Sequence, residues 1–420
     1  MRLGVHEADY GVDFAVLPTA GGRIGVTRLA LTDFRNYRAA RLDLDARPVV
    51  LTGPNGAGKT NLLEAVSILS PGRGLRNARL GDFDRRRGND VPEAMLPDAT
   101  RGWAVAATVE TRHGAVRIGT GRDPAVGLQP TGLSRGGERR VVRIDGETAR
   151  GQAALGEVLG VTWLTPQMDR LFIEGPSARR RFLDRLVLGL DPAHAARVAS
   201  YEHAMRERSR LLRDGHSSNG SADPTWLDAL DEVMAAQGVA VAAARRDAVE
   251  RLDAACAAAQ GPFPSARLGL VGTVEAWLDE LPALAAEERF KAALREGRAA
   301  DAIAGGATIG PHRSDLAVTH GEKVIPADGL STGEQKALLI SIVLAHARLQ
   351  RQTRGEPPLL LLDEVAAHLD AARRDALFNA LLGLECQVWL TGTDTALFTP
   401  LRAAARFLSV SDGALSETTS

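Results

Sequence analysis

The chain has 420 residues, more than one compact hydrophobic core accommodates, so two or three domains are expected. Its 45% hydrophobic content and mean hydropathy of −0.10 describe a soluble globular protein, and no run reaches the roughly 18 apolar residues of a membrane span. A formal net charge of −1 supplies no global field to draw in nucleic acid, and Cys256 and Cys386, far apart, make neither a disulfide framework nor a zinc site.

Residues 1–25 are Gly-rich and weakly patterned, and read as a disordered N-terminal extension. Arg2 is followed by no apolar leader, which together with the sparse cysteines makes a reducing cytoplasm the expected compartment. From Val26 the pattern sharpens. Residues 26–32 and, after a turn, 41–45 alternate like half-buried strands, and 48–52 is a short apolar run with the look of a buried strand. That run leads into Gly53-Pro54-Asn55-Gly56-Ala57-Gly58-Lys59-Thr60, after which residues 61–66 take helical spacing. Residues 103–110 and 115–119 flank His113-Gly114, and 140–144 runs into Asp145-Gly146; both read as hairpins.

From about Pro176 to Arg298 the pattern is helical and long. Residues 201–213 form one such stretch, broken by a polar tip at 214–221, and Asp223-Pro224 then offers an N-cap with proline at the first helical position. Trp226, Leu230, Val233, Val241, Ala248 and Leu252 follow at helical intervals, so two long helices around a loop make an antiparallel arm. After Leu316 strands and helices alternate again. Residues 337–347 read as a buried helix, 359–362 as an apolar strand ending in Asp363-Glu364, and 387–391 as the next strand.

Two motifs carry the chemistry. Residues 53–60 fit G-x-x-x-x-G-K-[ST], a phosphate-binding P-loop: the glycines let backbone N–H groups curl around anionic oxygens, Lys59 reaches the β- and γ-phosphates, and Thr60 can ligate Mg²⁺. Strand, Gly-rich loop and helix in that order give the motif its required context. The second, Leu330-Ser331-Thr332-Gly333-Glu334-Gln335, resembles the signature loop of ABC-type ATPases, and about 270 residues separate it from the first. In such a site Ser331 and the Gly333 amide contact the γ-phosphate of nucleotide held by another subunit, helped by the dipole of the helix that starts there. Asp363 stands where a Walker B acid binds Mg²⁺, and Glu364 where an acid polarises the attacking water. His368-Leu369-Asp370 resembles a D-loop, which makes Asp370 a nucleotide-seam candidate, and Gln167 could be the Q-loop residue that senses Mg²⁺ and water. The expected fold is therefore α/β: an ABC-type P-loop ATPase head split in sequence (26–175 and 301–420) by a helical arm at 176–300. ATP should drive a two-fold, head-to-head homodimer with two nucleotides at its seam.

The long separation decides among ABC-type relatives. Transporter engines keep the two motifs closer, and chromosome-structuring relatives insert far longer coiled coils, often with a Cys-x-x-Cys hook. The intermediate insert resembles that of the RecF family. Over residues 26–410 the local text is similar to that family at Leu31-Thr32-Asp33-Phe34-Arg35-Asn36-Tyr37, at Pro166-Gln167 with residues 175–184, at Tyr201 with residues 208–212, and at Gly310-Pro311-His312-Arg313-Ser314-Asp315. Departures are Glu334 for a usual glutamine, Ser314 for an aspartate, Gln167 for a frequent glutamate, and Thr391-Gly392-Thr393-Asp394 where ABC ATPases carry a switch histidine. Residues 1–25 have no counterpart. The resemblance implies an ATP- and Mg²⁺-dependent DNA-binding protein of recombinational repair and replication-fork maintenance. It would load recombinase at single-strand gaps with RecO- and RecR-type partners, support SOS induction, and hydrolyse ATP slowly with DNA stimulation. An ABC transporter engine, which needs a membrane partner, is the alternative. Candidate DNA contacts are Arg73 and Arg76, then Arg139, Arg140 and Arg143, then Arg179, Arg180 and Arg181.

Overall fold

The computed structural model describes residues 24–85, 102–122, 139–217, 223–259 and 261–418. The expected extension at 1–25 thus lies almost wholly outside the described residues; of the tip expected at 214–221, residues 214–217 belong to the helix His194–Ser217 and 218–221 lie outside the described residues. Two six-stranded sheets form the head. One is antiparallel, in the order Tyr37–Asp43, Gly25–Phe34, Ala104–Thr111, Gly114–Arg122, Arg140–Ile144, Glu147–Thr148. The other runs Ala414–Glu417, Arg406–Ser411, Val49–Thr52, Val388–Gly392, Leu359–Leu362, Val161–Leu164, and all its pairings are parallel except the first.

The parallel sheet is apolar on both faces because both are covered. Side chains alternate along each strand, so Val49 and Leu51 enter one core with Leu359, Leu361 and Trp389, while Val50 enters another with Leu360, Leu362 and Leu390. The first core lies against the antiparallel sheet and encloses the P-loop helix Lys59–Ser67 through Leu62, Leu63, Ala65 and Val66. The second is covered by helices Pro176–Leu190, Thr332–Arg354 and Ala371–Gly383. Strands 49–52, 161–164, 359–362 and 388–392 neighbour one another although the helical insert falls between the second and third of them, so the head is assembled from both sides of that insert.

Helices His194–Ser217 and Pro224–Ala258 form the arm, and the Asp223 carboxylate accepts from Thr225 N at 2.9 Å as an N-cap. Helices Thr273–Glu280, Ala283–Glu296 and Arg298–Ala304 pack beside them, and Phe290, Leu294, Met234 and Tyr201 share a third core. Arg208, fully buried, bridges Asp231 at 2.5 Å and Asp301 at 2.7 Å within it. The expected all-helical span is corrected at one place: Ala266–Val271 is a strand, antiparallel to Asp315–His320. Gly269 and a part-exposed face hide its alternation, and its partner strand lies some fifty residues on. Ala248, Val249 and Leu252, at the base of the second arm helix, belong to the same core as Leu338 and Leu360. The arm is thereby continuous with the head.

Candidate functional site

The P-loop backbone needs glycine at particular places. Gly53 has φ 148°, and a Cβ there would meet Val410 O at 2.1 Å; Gly58 has φ 115°, and a Cβ would meet Asn36 Nδ2 at 2.4 Å and Tyr37 Oη at 2.8 Å. The strand turn at Asn36 and Tyr37 is therefore packed against the loop. Tyr37 donates to Gly58 O at 3.0 Å, Asn36 Nδ2 donates to Ala57 O at 3.2 Å, and Asn61 Nδ2 donates to Asn36 Oδ1 at 2.7 Å. Burial pushes the Tyr37 phenol well above its ordinary pKa, which keeps it a donor. Behind the helix, Arg35 grips the buried Glu64 with two bonds of 2.7 and 2.8 Å, and Arg76 joins at 3.0 Å.

In front of the loop lies a cavity of about 290 Å³, near the small end of the range for ligand pockets. Asn55, Gly56, Gly58, Lys59, Thr60, Asn61, Arg76 and Glu364 line it. Lys59 curls back to Gly53 O at 2.7 Å and Pro54 O at 2.9 Å, a resting position that an arriving anion can replace. Burial lowers its pKa, and Glu364 and Asp363 pull it back up.

Asp363 and Glu364 reach the same place from about 300 residues away. Thr60 Oγ1 lies 3.1 Å from both oxygens of Asp363, and Thr391 Oγ1 donates to Asp363 Oδ1 at 2.7 Å. Burial raises the Asp363 pKa, the Thr391 and Thr60 bonds lower it, and Glu364 adds a raising push. Glu364 sits in the left-handed region at φ 52°, and its N–H donates to Thr391 Oγ1 at 2.9 Å. This conformation is uncommon for a non-glycine residue and turns the side chain into the cavity rather than along the strand. Thr391 is the residue the motifs do not single out. Its signal in the sequence is one hydroxyl ending an apolar strand, next to the strand that ends in Asp363.

The remaining candidates lie elsewhere. Gln167 is exposed in the turn Pro166–Arg170, which follows the strand neighbouring Leu359–Leu362, and does not line the cavity. Asp370 is exposed and caps helix Ala371–Gly383 by accepting from Arg373 N at 2.8 Å. Ser331 starts helix Thr332–Arg354; its N and Oγ both donate to Glu334 Oε2, at 3.0 and 2.6 Å, and neither it nor the exposed Gly333 lines the cavity. The start of helix Thr332–Arg354 is therefore not part of the cavity wall.

Several of the arginines weighed as DNA contacts are used internally. Arg179 pairs with Asp315 at 2.7 and 2.8 Å, Arg180 donates to Ser314 O at 2.7 Å, and Arg140 donates to Thr120, Gln152 and the carbonyls of Ile68 and Gly72. Arg76 serves Asn61 and Glu64 at the cavity wall, and Arg181 donates to Ser177 Oγ at 2.7 Å on the surface. Arg73, Arg139 and Arg143 are exposed.

Residues 25–414 match the family model described as the RecF/RecN/SMC N terminal domain. The chain is 50% identical over 396 residues to the DNA replication and repair protein RecF of Mesorhizobium japonicum, covering 94% of this chain and 98% of that one. It is also 50% identical over 400 residues to the protein of the same name from Rhizobium meliloti, with 94% and 99% covered. Among solved structures, the recombination mediator protein RecF with ATPrS superposes with a TM-score of 0.77 over 95% of this chain and 99% of that one, at 20% identity, which speaks for the fold. Half the residues shared across almost the full length of both relatives place this chain in the RecF family.

Proposed function

We propose that this chain is an ATP-dependent DNA-binding protein of recombinational repair and replication-fork maintenance. Two copies associate head to head on ATP, each P-loop covered by the other's signature loop, and the closed pair grips DNA. The observation that carries this reading is the divided site: Lys59, Thr60 and Glu364 line one cavity and Asp363 bonds Thr60 at its edge, while Ser331 and Gly333 are not among the residues that line it. Mg²⁺ belongs to the same reading. The Thr60 hydroxyl and the Asp363 carboxylate make a hard oxygen pair, and the side-chain bonds to that buried carboxylate come from hydroxyls, which leaves its charge for a cation to balance. The ion would neutralise charge on the β- and γ-phosphates. Glu364 orients the attacking water, Gln167 senses Mg²⁺ and that water, Asp370 acts at the seam, and hydrolysis is slow and DNA-stimulated.

The relatives' names support the DNA role, and the RecFOR pathway named for the related structure supports RecO- and RecR-type partners. On this reading the protein works in the cytoplasm at single-strand gaps, where it assists recombinase loading and supports SOS induction. A transporter engine is not favoured by relatives this close, and among the described residues no helix is long and apolar enough to cross a membrane. The test is a binding titration on duplex, single-stranded and gapped DNA, with and without ATP, at two salt concentrations. ATP should raise affinity, and log affinity should fall with log salt by about 0.9 per phosphate neutralised on duplex. Affinity indifferent to both would defeat the clamp.

A further inference from the structure

The signature loop carries a carboxylate where an anion has to arrive. Glu334 follows Gly333 on the first turn of helix Thr332–Arg354, and its Oε2 accepts both Ser331 N and Ser331 Oγ. While that 2.6 Å bond stands, the Ser331 proton points to Glu334, not outward. The other carboxylate oxygen, Oε1, is paired with the Lys323 ammonium. Lys59, Lys291, Lys323 and Lys336 are the chain's lysines, so one of few flexible ammonium groups lies beside this loop.

The backbone that presents Lys323 is fixed. It belongs to the turn between strands Asp315–His320 and Ile325–Pro326. Gly321 N donates to Ser265 O at 2.8 Å, Val324 N to His320 O at 2.9 Å, and Lys323 N to His320 Nδ1 at 3.3 Å. Val324 is held at φ 55°. The strand Ala266–Val271, which the sequence pattern hides, thus anchors the turn that reaches the signature loop.

We propose that Lys323 and Glu334 are a charge-balanced positioning pair for the signature loop: the carboxylate sets the Ser331 rotamer, and the lysine cancels its charge so that the partner copy's γ-phosphate can approach. The proposal rests on the trans arrangement proposed above. Its reason is electrostatic. A γ-phosphate meeting a bare carboxylate on the same helical turn as Ser331 is repelled, and the carboxylate also competes for the hydroxyl proton. An ammonium on Glu334 Oε1 removes the repulsion and weakens the competition. A glutamine at position 334 carries no charge and needs no lysine. Lys323 is about half exposed (49%) and Glu334 partly so (29%), so neither replacement disturbs a core.

The experiment follows association of the full chain by sedimentation with Mg²⁺ and ATP, for wild type, Lys323→Met, Glu334→Gln and the double variant, with nucleotide affinity of the dilute monomer measured alongside. Lys323→Met should weaken association on the order of tenfold, because each of two identical seams loses a cation. Glu334→Gln should associate at least as well as wild type. The double variant should return to within about twofold of wild type, a rescue that a packing role for Lys323 does not produce. Monomer nucleotide affinity should stay the same throughout. Lys323→Met associating like wild type, or a double variant no better than Lys323→Met, overturns the pair. Wild type that stays monomeric with ATP overturns the trans arrangement itself and the pair with it.

Discussion

At the P-loop, side chains from four separate stretches of chain meet within hydrogen-bonding distance: Tyr37 with Gly58, Thr60 with Asp363, and Thr391 with both Asp363 and the Glu364 amide. At the signature loop, Ser331 and Glu334 hold each other and Lys323, and none of them lines the nucleotide cavity. The acids differ in the same sense. Burial raises the pKa of Asp363, whereas Lys323 and the Ser331 bonds hold Glu334 down to about 2. One half is completed by the fold of a single chain and the other is a local helix start that faces outward. On the function proposed above, nucleotide binding is a property of the monomer, and the work of the signature loop needs a second body.

The largest expected effect breaks the P-loop half. Lys59 is almost fully buried and would exchange its carbonyl partners for phosphate oxygens. Lys59→Ala should weaken ATP binding by roughly 10- to 100-fold, the worth of a charge-assisted hydrogen bond, and with it every ATP-dependent behaviour. Calorimetric titration at saturating Mg²⁺ measures it. Unchanged affinity would refute the P-loop assignment.

Ser331→Arg should do the reverse. Ser331 takes no part in the cavity, so monomer ATP affinity should stay within about twofold while ATP-driven association disappears, as a bulky side chain blocks the seam. Loss of monomer binding in this variant would mean that the two halves meet within one chain. Glu364→Gln should instead leave association intact and slow its reversal, because the amide keeps the side chain's shape but cannot activate water. Sedimentation with ATP over time separates the two, and a Glu364→Gln protein that stays monomeric contradicts the scheme.

How much of this was legible in the sequence follows the same division. The P-loop, the strand ending in Asp363-Glu364 and the helix after Ser331 each have a local pattern, and the structure shows the expected elements at Val49–Thr52, Lys59–Ser67, Leu359–Leu362 and Thr332–Arg354. Thr391 is legible as the end of the strand 387–391 and as part of the stretch that lacks a switch histidine, but not as a partner of Asp363, because that depends on two parallel strands lying side by side. The strand Ala266–Val271 escaped because its partner is distant in sequence and its pattern weak. The surroundings of the arginine clusters are hidden from the sequence for a related reason. Arg179, Arg180 and Arg140 are used up by Asp315, Ser314 O and the loop carbonyls near Ser70, acceptors that the linear sequence does not place beside them.

The smallest effect is graded rather than all-or-none, and it distinguishes the halves by proton rather than by mutation. A protonated Asp363 cannot hold a cation, so Mg²⁺ affinity in the presence of nucleotide should fall as pH drops through its raised pKa, earlier than for an exposed aspartate. The same shift acts on stability with the opposite sign. In the metal-free protein the folded state binds this proton more tightly than the unfolded chain does, so its contribution favours folding at low pH and is lost as pH rises through the folded value. Glu334, held down to about 2, contributes a slope of the opposite sign: its stabilisation is present above the ordinary glutamate value and is lost as pH falls through the folded one. Thr391→Val removes a bond that lowers the Asp363 pKa, so it should move the Mg²⁺ transition to still higher pH while leaving the response of the signature loop alone. Mg²⁺ titrations of wild type and Thr391→Val from acidic to neutral pH measure the displacement. A transition that stays in place would mean that Asp363 is not the group that holds the metal.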